Sequence, residues 1–383
     1  MKRFIYILLG VVLLSGCRNV TGDDSERTAE RDSLYSVSHI RDIAITEPER
    51  ALALLDTADM RGLLSPFDIS DLRCGVYHNG LSDYRMALYH GLKAYDDSDS
   101  RKDPPRFLSL LETLSNASHY SGDYAGSVRY CAEGMKLARE TGNVRYEANF
   151  HASYGMNLWE MEQREETFRQ LDTAIGLLGG EAEKSDSYAP WDDLVYVLGK
   201  KVSLLCDEER YAEADGLLPA LENAVRGVER AADVPDGLAD MRRSMFYVVA
   251  SCIAYQQGDT RKGKRCYRLL EETRYASTPD GEALRIPCLL LARRFGEALH
   301  YLKREKAYWQ AHTDTVSYDY IDGHLAMEHD AYEGLGDWRS AEKVYGTMLA
   351  LTDSLRIRER QRDALELAEI YKSGESILCY TRL

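Results

Sequence analysis

Positive charge is in short supply: 48 Lys+Arg stand against 63 Asp+Glu, a formal net charge of -15. That balance excludes the basic face by which a protein displaces counterions from nucleic acid. Proline is scarce, 9 in 383 residues, while 44% of the chain is hydrophobic. A large core is therefore within reach and a disordered polymer is excluded. Few stretches look β-rich, and Gly and Pro are not clustered, which leaves an all-helical protein as the expectation. The motifs of common chemistries are missing too: there is no P-loop, HExxH, GxSxG, GxGxxG helix start or Ca²⁺-loop pattern. His324 and His329 stand five apart, not the four that sets two imidazoles on one helical face, and Asp314, Asp319 and Asp322 do not fit a calcium loop. No metal, no cofactor and no catalysis are expected.

What is present begins with an address. Residues 1–17 read MKRFIYILLGVVLLSGC, where Lys2 and Arg3 precede an apolar run from Phe4 to Leu14. The run is short for a bilayer span and has the shape of a secretory signal. Its end, Leu14-Ser15-Gly16-Cys17, resembles the bacterial lipobox. The resemblance implies removal of residues 1–16 and a lipid on Cys17, so that the chain is anchored to a membrane of the cell envelope. Residues 17–32 are polar and read as a flexible tether, and no later segment is apolar enough for long enough to cross a membrane. Apart from Cys17 the cysteines form no CxxC pair and read as small core residues; Cys252 and Cys266 are the nearest in sequence.

A repeat accounts for most of the remainder. Turn markers of helical hairpins fall at 46, 82, 122, 162, 209, 258, 293 and 336, best seen in Gly122-Asp123-Tyr124, Gly258-Asp259 and Gly336-Asp337-Trp338. Five positions after them stand Ala51, Ala87, Ser127, Thr167, Ala214, Gly263, Ala298 and Ala341, all small, as a close approach of two helices requires. Two positions after them stand Tyr84, Tyr124, Tyr211, Phe295 and Trp338, expected to wedge into the turn. Gly75, Ser115, Gly155 and Ser251 supply the partner small position on the first helix. The copies at 162, 209 and 293 lack the turn Gly, and residues 179–190 and 231–237 are expected to hold extra length as loops.

This pattern resembles the tetratricopeptide repeat (TPR), with YEGLGDWRSAEKVYGTMLAL from Tyr332 and YSGDYAGSVRYCAEGMKLA from Tyr120 as the best copies. The resemblance implies an all-α, TPR-like superhelix of about seven to eight hairpins over residues 33–352. A C-terminal helix follows at 353–371, its apolar face carried by Leu355, Ala364, Leu365 and Ala368, then a tail at 372–383. That helix is expected to cap the array. In Bacteroidota envelope sensor proteins, which the chain resembles, such a helix dimerises and leads to a membrane span and a cytoplasmic output; this sequence ends at Leu383 without them.

Projecting the TPR groove positions onto the chain selects Glu112, Asn116, His119, Tyr120, Asn149, Met156, Trp159, Tyr196, Ser203 and Tyr255. Asn amides there could clamp a peptide backbone and aromatic rings could supply contact area. Packing between repeats is the competing role for Met156, Trp159 and Tyr196. The expectation is a lipid-anchored envelope protein that binds a protein or peptide partner, as a scaffold or sensor component without catalysis. The alternatives are the dimerising input arm of a signalling system, as a homodimer, and an enzyme of unrecognised type.

Overall fold

The computed structural model describes residues 33–312 and 315–380, from residue 362 as backbone alone; the expected signal peptide, Cys17 and the tether lie outside these. The described residues are all-α, without a strand. They pack as two compact units, one running to Leu177 and the other spanning Leu178–Ala364. In the N-terminal unit the hairpins pair α1 (Val37–Ile43) with α2 (Pro48–Met60), α3 (Pro66–Gly75) with α4 (Tyr84–Asp96), α5 (Pro104–Tyr120) with α6 (Tyr124–Glu140), and α7 (Val144–Glu160) with α8 (Arg164–Ala182), whose last residues belong to the second unit. In the C-terminal unit α9 (Tyr188–Asp207) pairs with α10 (Tyr211–Arg230), and α11 (Leu238–Gln256) with α12 (Thr260–Glu271). The short α13 (Pro279–Glu282) and α14 (Arg285–Leu291) lead to α15 (Phe295–His312), and α16 (Ala326–Gly334) leads to α17 (Trp338–Tyr380).

One turn recurs, and its chemistry explains the Gly-Asp signature. Gly122, Gly258 and Gly336 have φ of 80°, 80° and 73°, the left-handed region that costs glycine nothing. The amide of the next residue then reaches back to a helix carbonyl: Asp123 N donates to Ser118 O at 2.9 Å, Asp259 N to Ala254 O at 2.8 Å and Asp337 N to Tyr332 O at 3.0 Å. The aspartate caps the following helix, Asp123 accepting from Gly126 N, Asp259 from Lys262 N and Asp337 from Ser340 N. The copies without Gly keep the geometry. Glu162, Glu209 and Arg293 have φ of 60°, 59° and 61°, and Gln163, Arg210 and Arg294 make the same reach back to Leu158, Leu205 and Leu289. Arg210 and Arg294 grip Glu213 and Glu297 in place of an aspartate cap. Two markers differ: after Ser82, whose φ is 51°, Asp83 N reaches six residues back to Tyr77 O at 2.8 Å, and around Thr46 the turn closes through Glu47 N to Ile43 O with no residue of positive φ.

The small-residue column lies where the helices of each hairpin touch, every member being buried. Ser127 Oγ donates to Ser115 O at 2.8 Å, Ser251 Oγ donates to Gly263 O at 3.0 Å, and a Cβ on Gly155 would stand 3.2 Å from Thr167 O. Gly75 departs from this pattern, since a Cβ there would meet nothing within 4 Å. The helix continues as a π turn over Val76–Gly80, whose wider winding rotates Gly75 away from α4. The aromatic column begins the second helices, but Trp338 is 64% exposed.

Two expectations need correction. Most of residues 179–190 is helical, because α8 runs to Ala182 and α9 starts at Tyr188; the extra length of the middle repeats lies in helices of 19 and 20 residues. At the C-terminus no break occurs at 352/353 or at 371/372, because α17 is one helix of 43 residues that begins as the second helix of the last hairpin. Its capping part is local. Leu355 is buried with Tyr320, Ile321, Leu325 and Val344, covering the last apolar edge. Ala364, Leu365 and Ala368 lie beyond the described side chains.

Candidate functional site

In the N-terminal unit the proline and aspartate at the start of α5 and the asparagine at the start of α7 fix where these first helices begin: Asp103 and Asn143 cap them through Arg106 N and Tyr146 N. The two helices lie side by side, and the structure brings several projected residues together on them. Asn149 Nδ2 donates to Glu112 Oε1 at 3.2 Å across the pair, with half-buried Asn116 one turn along α5. Met156 lies two turns along α7 from Asn149, on the same face and also half-buried. These four residues form one polar face with an apolar end. Asn149 therefore gives one amide hydrogen to a carboxylate of the neighbouring helix.

His119, Tyr120 and Trp159 are drawn elsewhere. His119 Nδ1 pairs with Asn157 Oδ1 at 3.0 Å at the turn end of α5. Tyr120, 53% exposed, stacks on Tyr84 at 4.8 Å beside the turn. Arg164 lies 3.7 Å over the Trp159 ring and also donates to its carbonyl, and Phe168 meets that ring edge-on at 6.2 Å. Trp159 thus packs within its own hairpin, and its face is taken by a guanidinium.

Tyr196 and Ser203 stand on α9 and Tyr255 on α11, in the C-terminal unit. Tyr255 supports its hairpin: a Cβ on Gly263 would come 2.9 Å from the Tyr255 ring. Ser203 is buried, its hydroxyl without a hydrogen-bond partner. Between Tyr196 and Ser203 the sequence reading passed over Lys200, which is 9% exposed. Its ammonium lies 5.6 Å from the Tyr196 ring, no carboxylate among the described residues lies within ion-pair distance, and burial holds its pKa below the usual lysine value. Lys200 and Ser203 stand one turn apart on α9, and of the two it is the Ser203 hydroxyl that is buried without a partner.

Asn157 was also missed. Its amide, 1% exposed, donates to Ser127 Oγ at 2.7 Å while its oxygen meets His119, so it ties the α5/α6 hairpin to α7. In sequence it is one Asn among several; nothing marked it as the buried one. A further network joins α15 to the residues before and within α16: His324 Nδ1 meets Glu305 Oε2 at 2.6 Å, Glu328 lies 3.7 Å from Nε2, and Lys306 pairs with Glu328 at 3.1 Å. His324 is thus a core histidine held at Nδ1 and stacked 5.1 Å from Tyr320, while its buried Nε2 makes no hydrogen bond. His329 falls instead near Asp330 and Glu333, a half-exposed group whose donor atoms lie within 4.8 Å of one another. Among the described residues no helix is long and apolar enough to cross a membrane.

No family model matches the chain, and no curated protein matches it. Solved structures do. A Rap protein complexed with competence and sporulation factor is 14% identical, with 87% of this chain and 89% of that one covered at a TM-score of 0.52. NprR in complex with its cognate peptide NprX is 12% identical, with 87% and 98% covered at 0.47, and the apo form of the quorum sensor NprR from B. thuringiensis is 10% identical, with 82% and 97% covered at 0.41. The likeness to the Rap protein, together with the recurring hairpin turn, establishes a TPR-type helical-repeat fold.

Proposed function

We propose that this chain is a lipid-anchored protein of the cell envelope that binds a protein or peptide through the exposed faces of its first helices and catalyses nothing. The observation that carries the binding role is the face of α5 and α7, where Glu112, Asn116 and Asn149 gather amides and a carboxylate suited to an extended backbone. The Rap protein of the same fold is complexed with competence and sporulation factor, which supports the reading. The anchor rests on Leu14-Ser15-Gly16-Cys17.

Full-length chain and an Asn116→Ala/Asn149→Ala double variant are used to capture partners from solubilised envelopes, and what is retained is identified by mass spectrometry. The variant loses the partner the wild type retains, while its melting midpoint moves by about 1 kcal/mol or less in stability terms. Equal retention by both would remove this face from the function.

A second reading, the dimerising arm, is favoured by α17. Trp338, Tyr345 and Leu349, 64%, 54% and 52% exposed, fall at helical spacing on one side of it. Such an apolar stripe suits a second copy of the chain.

A further inference from the structure

We propose that Cys252 and Cys288 are a disulfide-forming pair that cross-links two neighbouring hairpins of the C-terminal unit. Their Sγ atoms lie 3.8 Å apart, in contact, where a bond requires about 2.05 Å. Cys252 stands on α11 and Cys288 on α14, and Cys288 Sγ is also 3.9 Å from the carbonyl of Val248, one turn before Cys252. Both sulfurs belong to one apolar cluster with Ile286, Leu289 and Ala331. The bond closes a loop that contains the whole of α12. Cys266, the nearest cysteine to Cys252 in sequence, is half-buried on α12, and the sulfur in contact with Cys252 is that of Cys288.

The other described thiols make no such contact with a second sulfur. Cys131 meets Ser115 Oγ at 2.9 Å, and Cys74 and Cys206 are buried. The Cys288 contact and burial raise the Cys252 thiol well above its ordinary value, so the closed core holds little thiolate. Oxidation therefore belongs to folding, before the cluster closes. Each thiol loses one proton and one electron as the S–S bond forms; the two electrons reduce the disulfide of an oxidant such as oxidised glutathione, which leaves as two thiols.

The full chain is unfolded with reductant, refolded in a buffer of oxidised and reduced glutathione, alkylated, and digested without reduction for peptide mapping. A linked peptide joining Cys252 to Cys288 is expected, together with a thermal midpoint roughly 5–15 °C above that of the reduced chain. In Cys288→Ala that redox dependence disappears. Recovery of both residues as alkylated free thiols, or of Cys252 linked to Cys266 or Cys206, overturns the proposal. The wild-type map decides even where Cys288→Ala fails to fold. Neither outcome touches the partner-binding reading, because both sulfurs are buried away from solvent.

Discussion

Replacing Glu162 or Arg293 by glycine tests the repeat register by the sign of the effect. Both residues have a left-handed backbone, with φ of 60° and 61°, and both are exposed. Holding a residue with a Cβ there costs roughly 1–2 kcal/mol. Glycine removes that cost but adds freedom to the unfolded chain worth about 0.4–1 kcal/mol. The balance is a stabilisation of about 0.5–1 kcal/mol for each single variant, read as a rise in the urea midpoint at unchanged slope. Glu162 reports on the N-terminal unit and Arg293 on the C-terminal one. Gly122→Ala and Gly258→Ala serve as the reverse controls and, by the same two terms with the sign reversed, lose about 0.5–1 kcal/mol. Were the turn displaced by two residues, the new glycines would sit inside helices and destabilise by about 0.8–1 kcal/mol. A lower midpoint in both Glu162→Gly and Arg293→Gly therefore refutes the assignment of these turns.

Burial pulls the His324 pKa down, but Glu305 and Glu328 outweigh it and hold the imidazole above its ordinary 6.5. Its contribution to stability is complete below pH 6.5 and is lost as pH rises through the raised folded value. Urea midpoints of the C-terminal unit therefore fall between pH 6 and the mildly alkaline range, and His324→Gln flattens that slope; an equal slope in the variant would place the titration elsewhere. Cys17→Ala abolishes labelling with palmitate and releases the chain from membranes, and a variant still labelled and bound would end the lipoprotein reading. For the dimerising alternative, sedimentation of the full chain gives the mass of a dimer that Tyr345→Glu/Leu349→Glu reduces to a monomer; a monomeric wild type leaves that reading without support.

The sequence by itself determined the helical class and the placing of the hairpin turns, because both are local. A left-handed turn followed by a capping Asp needs a few adjacent residues, and a small residue five positions on is needed wherever two helices touch, whatever lies farther away. That is why the markers at 162, 209 and 293 could be placed without a glycine. The projected groove was legible only as candidate positions. Which of them gather was decided by neighbours far along the chain: Glu112 meeting Asn149, Arg164 taking the face of Trp159, Tyr255 filling the space over Gly263.

Tertiary structure alone decided the rest. The π turns at Val76–Gly80 and Asp319–Leu325 shift the helix face without a mark in composition, so Gly75 leaves its column and His324 turns inward to Glu305. Lys200 and Asn157 are ordinary letters until burial lowers the pKa of the one and makes the other a bridge between hairpins. Cys252 finds Cys288 rather than the nearer Cys266 because stacking one hairpin on the next sets first helix against first helix, and distance along the chain does not measure that.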